Sequence, residues 1–165
     1  MEKELTSGEL FILNYGDDII KLSKYIAWLS QKSGKDVSKK YTGEMGKSSL
    51  HFPVFDSTLL SFVKEARDTK LMDINYRYAY TRRRIKNTEE EESAILSAGI
   101  KDIDLLKAVL SKYVMEGMVK SGKWAEAVDR QLFLQVLCKL KDLLDFYNRA
   151  QEREDENKEG CKFFR

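Results

Sequence analysis

Apolar residues recur at three- and four-residue steps through most of residues 102–147, and no proline interrupts them. Ile103, Leu106, Val109, Leu110, Tyr113 and Val114 form one set; Phe133, Val136, Leu137, Leu140, Leu143, Leu144 and Tyr147 form another. That spacing puts each set on one side of a helix. Trp124, Ala127 and Val128 suggest a short helical step between them. Two such apolar stripes must be buried against other elements, which calls for helix-on-helix packing. The whole chain has a single proline, Pro53. Proline is the strongest helix breaker, so its scarcity favours helices elsewhere too.

The first half is less regular. Leu10, Phe11, Ile12, Leu13 and Tyr15 form an apolar block that Gly16 is expected to end, with Asp17 capping a second run through Ile19, Leu22, Ile26 and Leu29. Gly34 falls where a left-handed helix terminator is expected. Residues 33–49 then lose periodicity and are rich in glycine, serine and lysine, the composition of an exposed mobile loop. Pro53 biases the preceding residues toward extended geometry, so a short β-ribbon around residues 50–55 is open, without an identifiable partner strand. Asp56 or Ser57 can cap a helix whose face is Leu59, Phe62, Val63 and Ala66. In residues 73–87 Ile74, Tyr76, Tyr78 and Tyr80 alternate as in a strand, yet Tyr76, Tyr80 and Arg84 also share a helix face. A helix or irregular structure is expected there, because the surrounding chain is helical.

Thr88 and Glu91 match a capping box, and the glutamates at 89–92 suit the positive end of a helix. That helix is expected to stop near Gly99, with Asp102 opening the next. The expected fold is all-α: one compact bundle of about five to seven helices over residues 1–150. Residues 151–165 form a charged tail that reads as a solvated helix extension or as disorder.

Several function classes find no support in the residues. No apolar run approaches the ~20 residues of a membrane span. The start, MEKELTSGEL, has neither the basic nor the apolar part of a secretory signal, so a cytoplasmic setting is expected. Two cysteines, Cys138 and Cys161, and one histidine, His51, offer no zinc ligand set. No P-loop, dinucleotide glycine pattern, HExxH or GxSxG occurs. His51 is the one side chain that titrates near neutrality, but it has no positioned partner in the sequence. A non-enzymatic protein without cofactor or metal is expected, and the glutamates at 89–92 read as solvated capping residues.

The stretch that most resembles a working surface is Tyr76, Tyr78 and Tyr80 followed by Arg82, Arg83, Arg84 and Lys86. Arginine grips phosphates bidentately and tyrosine stacks on unpaired bases, which would suit RNA or single-stranded DNA. The same pair of residue types is enriched at protein hot spots. A third reading places the tyrosines in the core and pairs the arginines with the nearby glutamates. Lys39 and Lys40 give residues 33–49 a second basic character. Charge is unevenly distributed: residues 1–87 carry 16 basic and 11 acidic side chains, and residues 88–165 carry 13 and 16. A basic end of this kind can steer an acidic partner.

Residues 105–144, LLKAVLSKYVMEGMVKSGKWAEAVDRQLFLQVLCKLKDLL, are similar to the closing helices of a family of short helical proteins of unassigned function found in bacteria, phages and mobile elements. Residues 50–63, an aromatic-proline segment followed by a helix, resemble that family's earlier part. The Tyr/Arg stretch and the glutamate run depart from its pattern. The resemblance implies an accessory protein that binds a host protein or nucleoprotein and inhibits a nucleic-acid-processing or defence complex. The analogy is with anti-CRISPR inhibitors, which are similar in size and in lacking catalytic equipment. Direct binding of RNA or single-stranded DNA is the alternative.

Overall fold

The computed structural model describes residues 4–32, 34–41, 52–120 and 122–162. Among these the elements are α1 (Ser7–Ser23), α2 (Ile26–Gln31), α3 (Gly34–Val37), β1 (Ser38–Tyr41), β2 (Phe52–Phe55), α4 (Ser57–Arg67), α5 (Tyr76–Arg82), α6 (Thr88–Leu96), α7 (Ile103–Glu116), α8 (Gly122–Asp129) and α9 (Leu132–Lys162). The fold is the all-α bundle that the apolar periodicity predicts. Its helices outnumber the expected five to seven because α2 and α3 are single short turns, below the window in which periodicity registers.

α9 is the spine. Its apolar stripe packs against α1, α2, α6, α7 and α8. Val136, Leu137 and Leu140 are fully buried there, as is Phe133, whose ring meets Phe62 of α4 edge-on at 5.0 Å. Phe62 in turn meets Tyr25 at 5.2 Å, so three rings from the α1–α2 junction, α4 and α9 interlock at the centre. The predicted faces of α4 and α7 are buried as the spacing requires, with Ile103 at the rim.

Gly16 does not end a helix. α1 runs through it as a buried helical residue, and an added Cβ would meet Leu144 of α9 only at ordinary contact distance, 3.6 Å from its Cδ1. The true start of α1 is a capping box: the Glu9 amide donates to the Thr6 hydroxyl and the Thr6 amide donates to the Glu9 carboxylate. Gly34 opens α3 rather than closing α2.

Part of the expected mobile loop is regular. Residues 34–41 form α3 and β1, and β1 pairs antiparallel with β2 in the register Ser38↔Phe55, Lys39↔Val54, Lys40↔Pro53 and Tyr41↔Phe52. A two-stranded ribbon tolerates Pro53 because the ring needs no inward amide at an edge. Phe55 anchors the ribbon edge-on against Trp124 of α8, at 5.1 Å. Residues 42–51, including His51, lie outside the described residues.

Gly117 is required by packing. A Cβ on Gly117 would overlap the Trp124 ring, which closes over the end of α7 and donates its indole N–H to the Val114 carbonyl at 3.1 Å.

Candidate functional site

α5 is held on α7 by a small residue and a hydroxyl. Ala108 is fully buried and leaves room for Tyr76 and Ala79 to pack against α7. Ser111, also fully buried, accepts a hydrogen bond from the Asp73 amide at 2.7 Å and donates to the Lys107 carbonyl, fixing the loop that leads into α5. α5 ends in a Schellman-type turn. The Ile85 amide donates to the Tyr80 carbonyl and the Arg84 amide to the Thr81 carbonyl, with Arg84 at φ 57°. Glycine usually takes that left-handed position; an arginine there is strained. Gln131, after α8, adopts the same conformation.

The helix separates the tyrosines. Tyr76 is buried and donates its hydroxyl to Glu116 at 3.2 Å. Tyr80 is largely buried and donates to Glu91 at 2.6 Å. These two therefore cannot stack on a base. Tyr78, on the opposite side, is 69% exposed, with the Arg82 guanidinium over its ring. The arginines do find acids, but not the expected glutamates. Arg82 pairs with Asp104, and Arg83 bridges Asp102 at 2.9 Å and Asp104 at 2.7 Å. The Gly99 amide donates to Asp102, and this bond, helped by Arg83, holds the Asp102 carboxyl below the usual range. At Asp104 burial works against ionisation, but Arg83 and Arg82 outweigh it and lower the carboxyl. Arg84 and Lys86 are exposed and have no ion-pair partner among the described residues.

The glutamate run also behaves differently from its expectation. Asn87, not Thr88, caps α6 by accepting from the Glu90 amide, while the Lys86 amide donates to Glu90. Glu91 is thereby freed from capping and turned inward, 2% exposed. It accepts from Tyr80 and Tyr113 hydroxyls, both at 2.6 Å, and is paired with Arg130 at 3.0 Å and Lys112 at 3.4 Å. Burial opposes its ionisation, but the two hydroxyls and two cations overcome that and hold the carboxyl below its ordinary range. Burial and the Glu91 charge push both phenols up, so they stay protonated donors. Arg130 extends the cluster to Glu92, Glu126 and the Tyr113 hydroxyl. Glu91 thus ties α5, α6, α7 and the end of α8 together. With four donors on its two oxygens it has no spare lone pair directed at a substrate. The sequence signal for this is its four-residue step to buried Ile95.

Two clefts flank α5. One, of about 680 Å³, is lined by residues of both charge signs, including Arg83, Arg84, Glu89, Glu90 and Asp102. The other, of about 440 Å³, lies between Ile74, Tyr76, Arg77, Met115, Glu116, Val119 and Lys120, with Glu116 engaged by the Tyr76 hydroxyl. Here Ile74 is 77% and Val119 is 87% exposed, with Met118 half exposed beside Val119. Apolar groups thus border the basic residues, a feature the sequence pattern around Tyr76–Arg82 did not indicate.

Of the remaining predicted site residues, Lys39 and Lys40 lie on β1, which packs on α3, itself held on α8, whereas α5 is carried by α7. Among the described residues no three His, Cys, Asp or Glu side chains gather as metal ligands, and no helix is long and apolar enough to cross a membrane. No protein-family model matches the chain, and comparisons with curated proteins and with solved structures returned no match.

Proposed function

We propose that this chain is a non-catalytic binding protein whose partner is another protein, docked on the outer side of α5 and the adjoining end of α7. The supporting observation is the mixed character of that surface. Ile74 and Val119 are exposed around one cleft with Arg77 and Lys120, and Tyr78, Arg84 and Lys86 are exposed along and just after α5. Apolar anchors rimmed by cations fit a protein surface that offers apolar pockets among acids. The strained backbone at Arg84 is consistent with selection for its guanidinium rather than for helix termination. The partner is to be sought among host nucleic-acid-processing or defence complexes only on the expectation that residues 105–144 resemble phage and mobile-element proteins, which no family or protein match supports.

The test is affinity capture from a bacterial host with the full chain, run beside an Ile74→Ser/Tyr78→Ala/Val119→Ser variant. A protein retained near physiological salt by the parent and lost by the variant, at equal thermal stability, supports the reading. Retention by both, or by neither, overturns it.

Direct binding of RNA or single-stranded DNA is the second reading, favoured by Tyr78 and by the exposed cations of Arg84 and Lys86. It requires affinity that falls steeply with salt. Arg84→Glu/Lys86→Glu should abolish it; Arg82 and Arg83 are poor test positions because they hold Asp102 and Asp104.

A further inference from the structure

The solvent side of α9 carries charges that nothing else in the described bundle answers. Asp142, Asp145, Phe146, Arg149, Ala150 and Arg153 line one shallow depression along this single helix. They lie away from Leu140, Leu143, Leu144 and Tyr147, the side by which α9 enters the core. Phe146 is 50% exposed. None of the four charged residues has an ion-pair partner among the described residues. Asp142 and Asp145 stand three apart, and Arg149 and Arg153 four apart, spacings at which like charges repel on a helix. Asp145 and Arg149 are spaced to attract but are not paired. The helix is therefore acidic, then apolar, then basic along one face.

That order is self-complementary. The six residues are symmetric in sequence about the Tyr147–Asn148 peptide: 142 mirrors 153, 145 mirrors 150, and 146 mirrors 149. If two α9 helices pack antiparallel about a two-fold axis at that point, each Asp142 faces Arg153 of the other copy. Each Phe146 faces an Arg149 guanidinium, a stacking contact, and Asp145 lies opposite the small Ala150. Lys139, the mirror of Glu156, is turned instead to the end of α6, where it donates to the Leu96 and Ala98 carbonyls, so the match of opposite signs stops at 142 and 153. A two-fold contact uses one patch against itself, so a stripe that complements its own reverse is what such an interface needs. The shape agrees. From Asn148 to Gly160 every residue is exposed except half-buried Gln151, so α9 projects from the bundle by about 20 Å at 1.5 Å per residue. With the axis at 147/148, the projecting part of each copy runs beside the stretch of α9 that the other copy holds in its bundle.

We propose that the outer face of α9 is a dimer interface, and that its occupant is a second copy of this chain, antiparallel about residues 147 and 148. The interface is separate from the α5 surface, and the proposal does not depend on the function assigned to that surface.

Sedimentation equilibrium of the full chain across the micromolar range should show a monomer–dimer equilibrium. Asp142→Arg alone and Arg153→Asp alone each set like charges together at two places, and each should raise the dissociation constant at least about tenfold. Both positions are exposed, so far-UV circular dichroism should be unchanged. Mixing the two single variants should restore association. In the mixed dimer the arginine introduced at position 142 faces the aspartate introduced at position 153, and the unchanged Arg153 faces the unchanged Asp142. A parent protein that is monomeric throughout overturns the proposal. So does a dimer indifferent to both reversals, or a mixture that fails to associate.

Discussion

Glu91 shows how a single charge changes meaning with its surroundings. In the sequence it is one of four consecutive glutamates; in the fold it is the one that turns inward. Removing one member of a buried ion pair strands the other, so Glu91→Gln should destabilise the protein by about 3 kcal/mol in urea or thermal unfolding at neutral pH. The pH dependence has a definite sign. The folded carboxyl titrates below its unfolded value, so its contribution is complete above the unfolded pKa and is lost as pH falls through the folded one. The gap between parent and variant should therefore narrow in acid; a gap that stays constant there would contradict the assignment. Arg84 offers the opposite case. Arg84→Gly removes left-handed strain and should be neutral or stabilise by up to about 1 kcal/mol. If the α5 surface binds as proposed, the same change weakens partner binding. Gly117→Ala has no such latitude: the new methyl meets the rigid Trp124 ring, and a loss of about 1–3 kcal/mol with altered tryptophan fluorescence is expected.

Among the elements, local chemistry explains where helices begin better than where they end. Asp56 caps α4 as expected, accepting from the Thr58 amide at 2.7 Å. For α6 the cap lies one residue earlier than the Thr-x-x-Glu pattern indicates, and that shift is what directs Glu91 inward. Asn87→Ala should cost about 1 kcal/mol, whereas Thr88→Ala, with no capping bond to lose, should cost little. Equal losses in thermal unfolding would show that the frame is wrong. Glycine is the less dependable marker. Gly16 lies inside α1 and Gly117 serves a close approach rather than chain reversal, while Arg84 and Gln131 take the left-handed positions. The Tyr76–Arg82 segment is helical because a four-residue step lets Tyr76 and Tyr80 reach Glu116 and Glu91 together. A strand would have sent Tyr76, Tyr78 and Tyr80 to one side.

Across the fold as a body, the division between a saturated interior and two unanswered surfaces matters most. The cluster around Glu91 and the Arg83–Asp102–Asp104 group use up most of the charge near α5. They leave Arg77 and Lys120 on one cleft with the exposed Ile74 and Val119, and leave Tyr78, Arg84 and Lys86 exposed along and just after α5. Substituting those three apolar residues should shift stability by no more than ordinary surface changes do, within about 0.5 kcal/mol. A large loss in thermal unfolding would mean that they support the fold instead of facing a partner.

The helical class, the buried faces of α4, α7 and α9, and the cap of α4 are all legible in the order of the residues. Each depends on side chains within a few positions of one another, and the 3.6-residue period makes that range readable. It takes the packed molecule to bring Tyr80, Glu91, Tyr113 and Arg130 together, to set Asp102 and Asp104 against the arginines, and to place Ile74 and Val119 on one cleft. Those groups come from different helices. Which of them meet is set by how α5, α6 and α8 pack against α7, and helical periodicity carries no information about that packing.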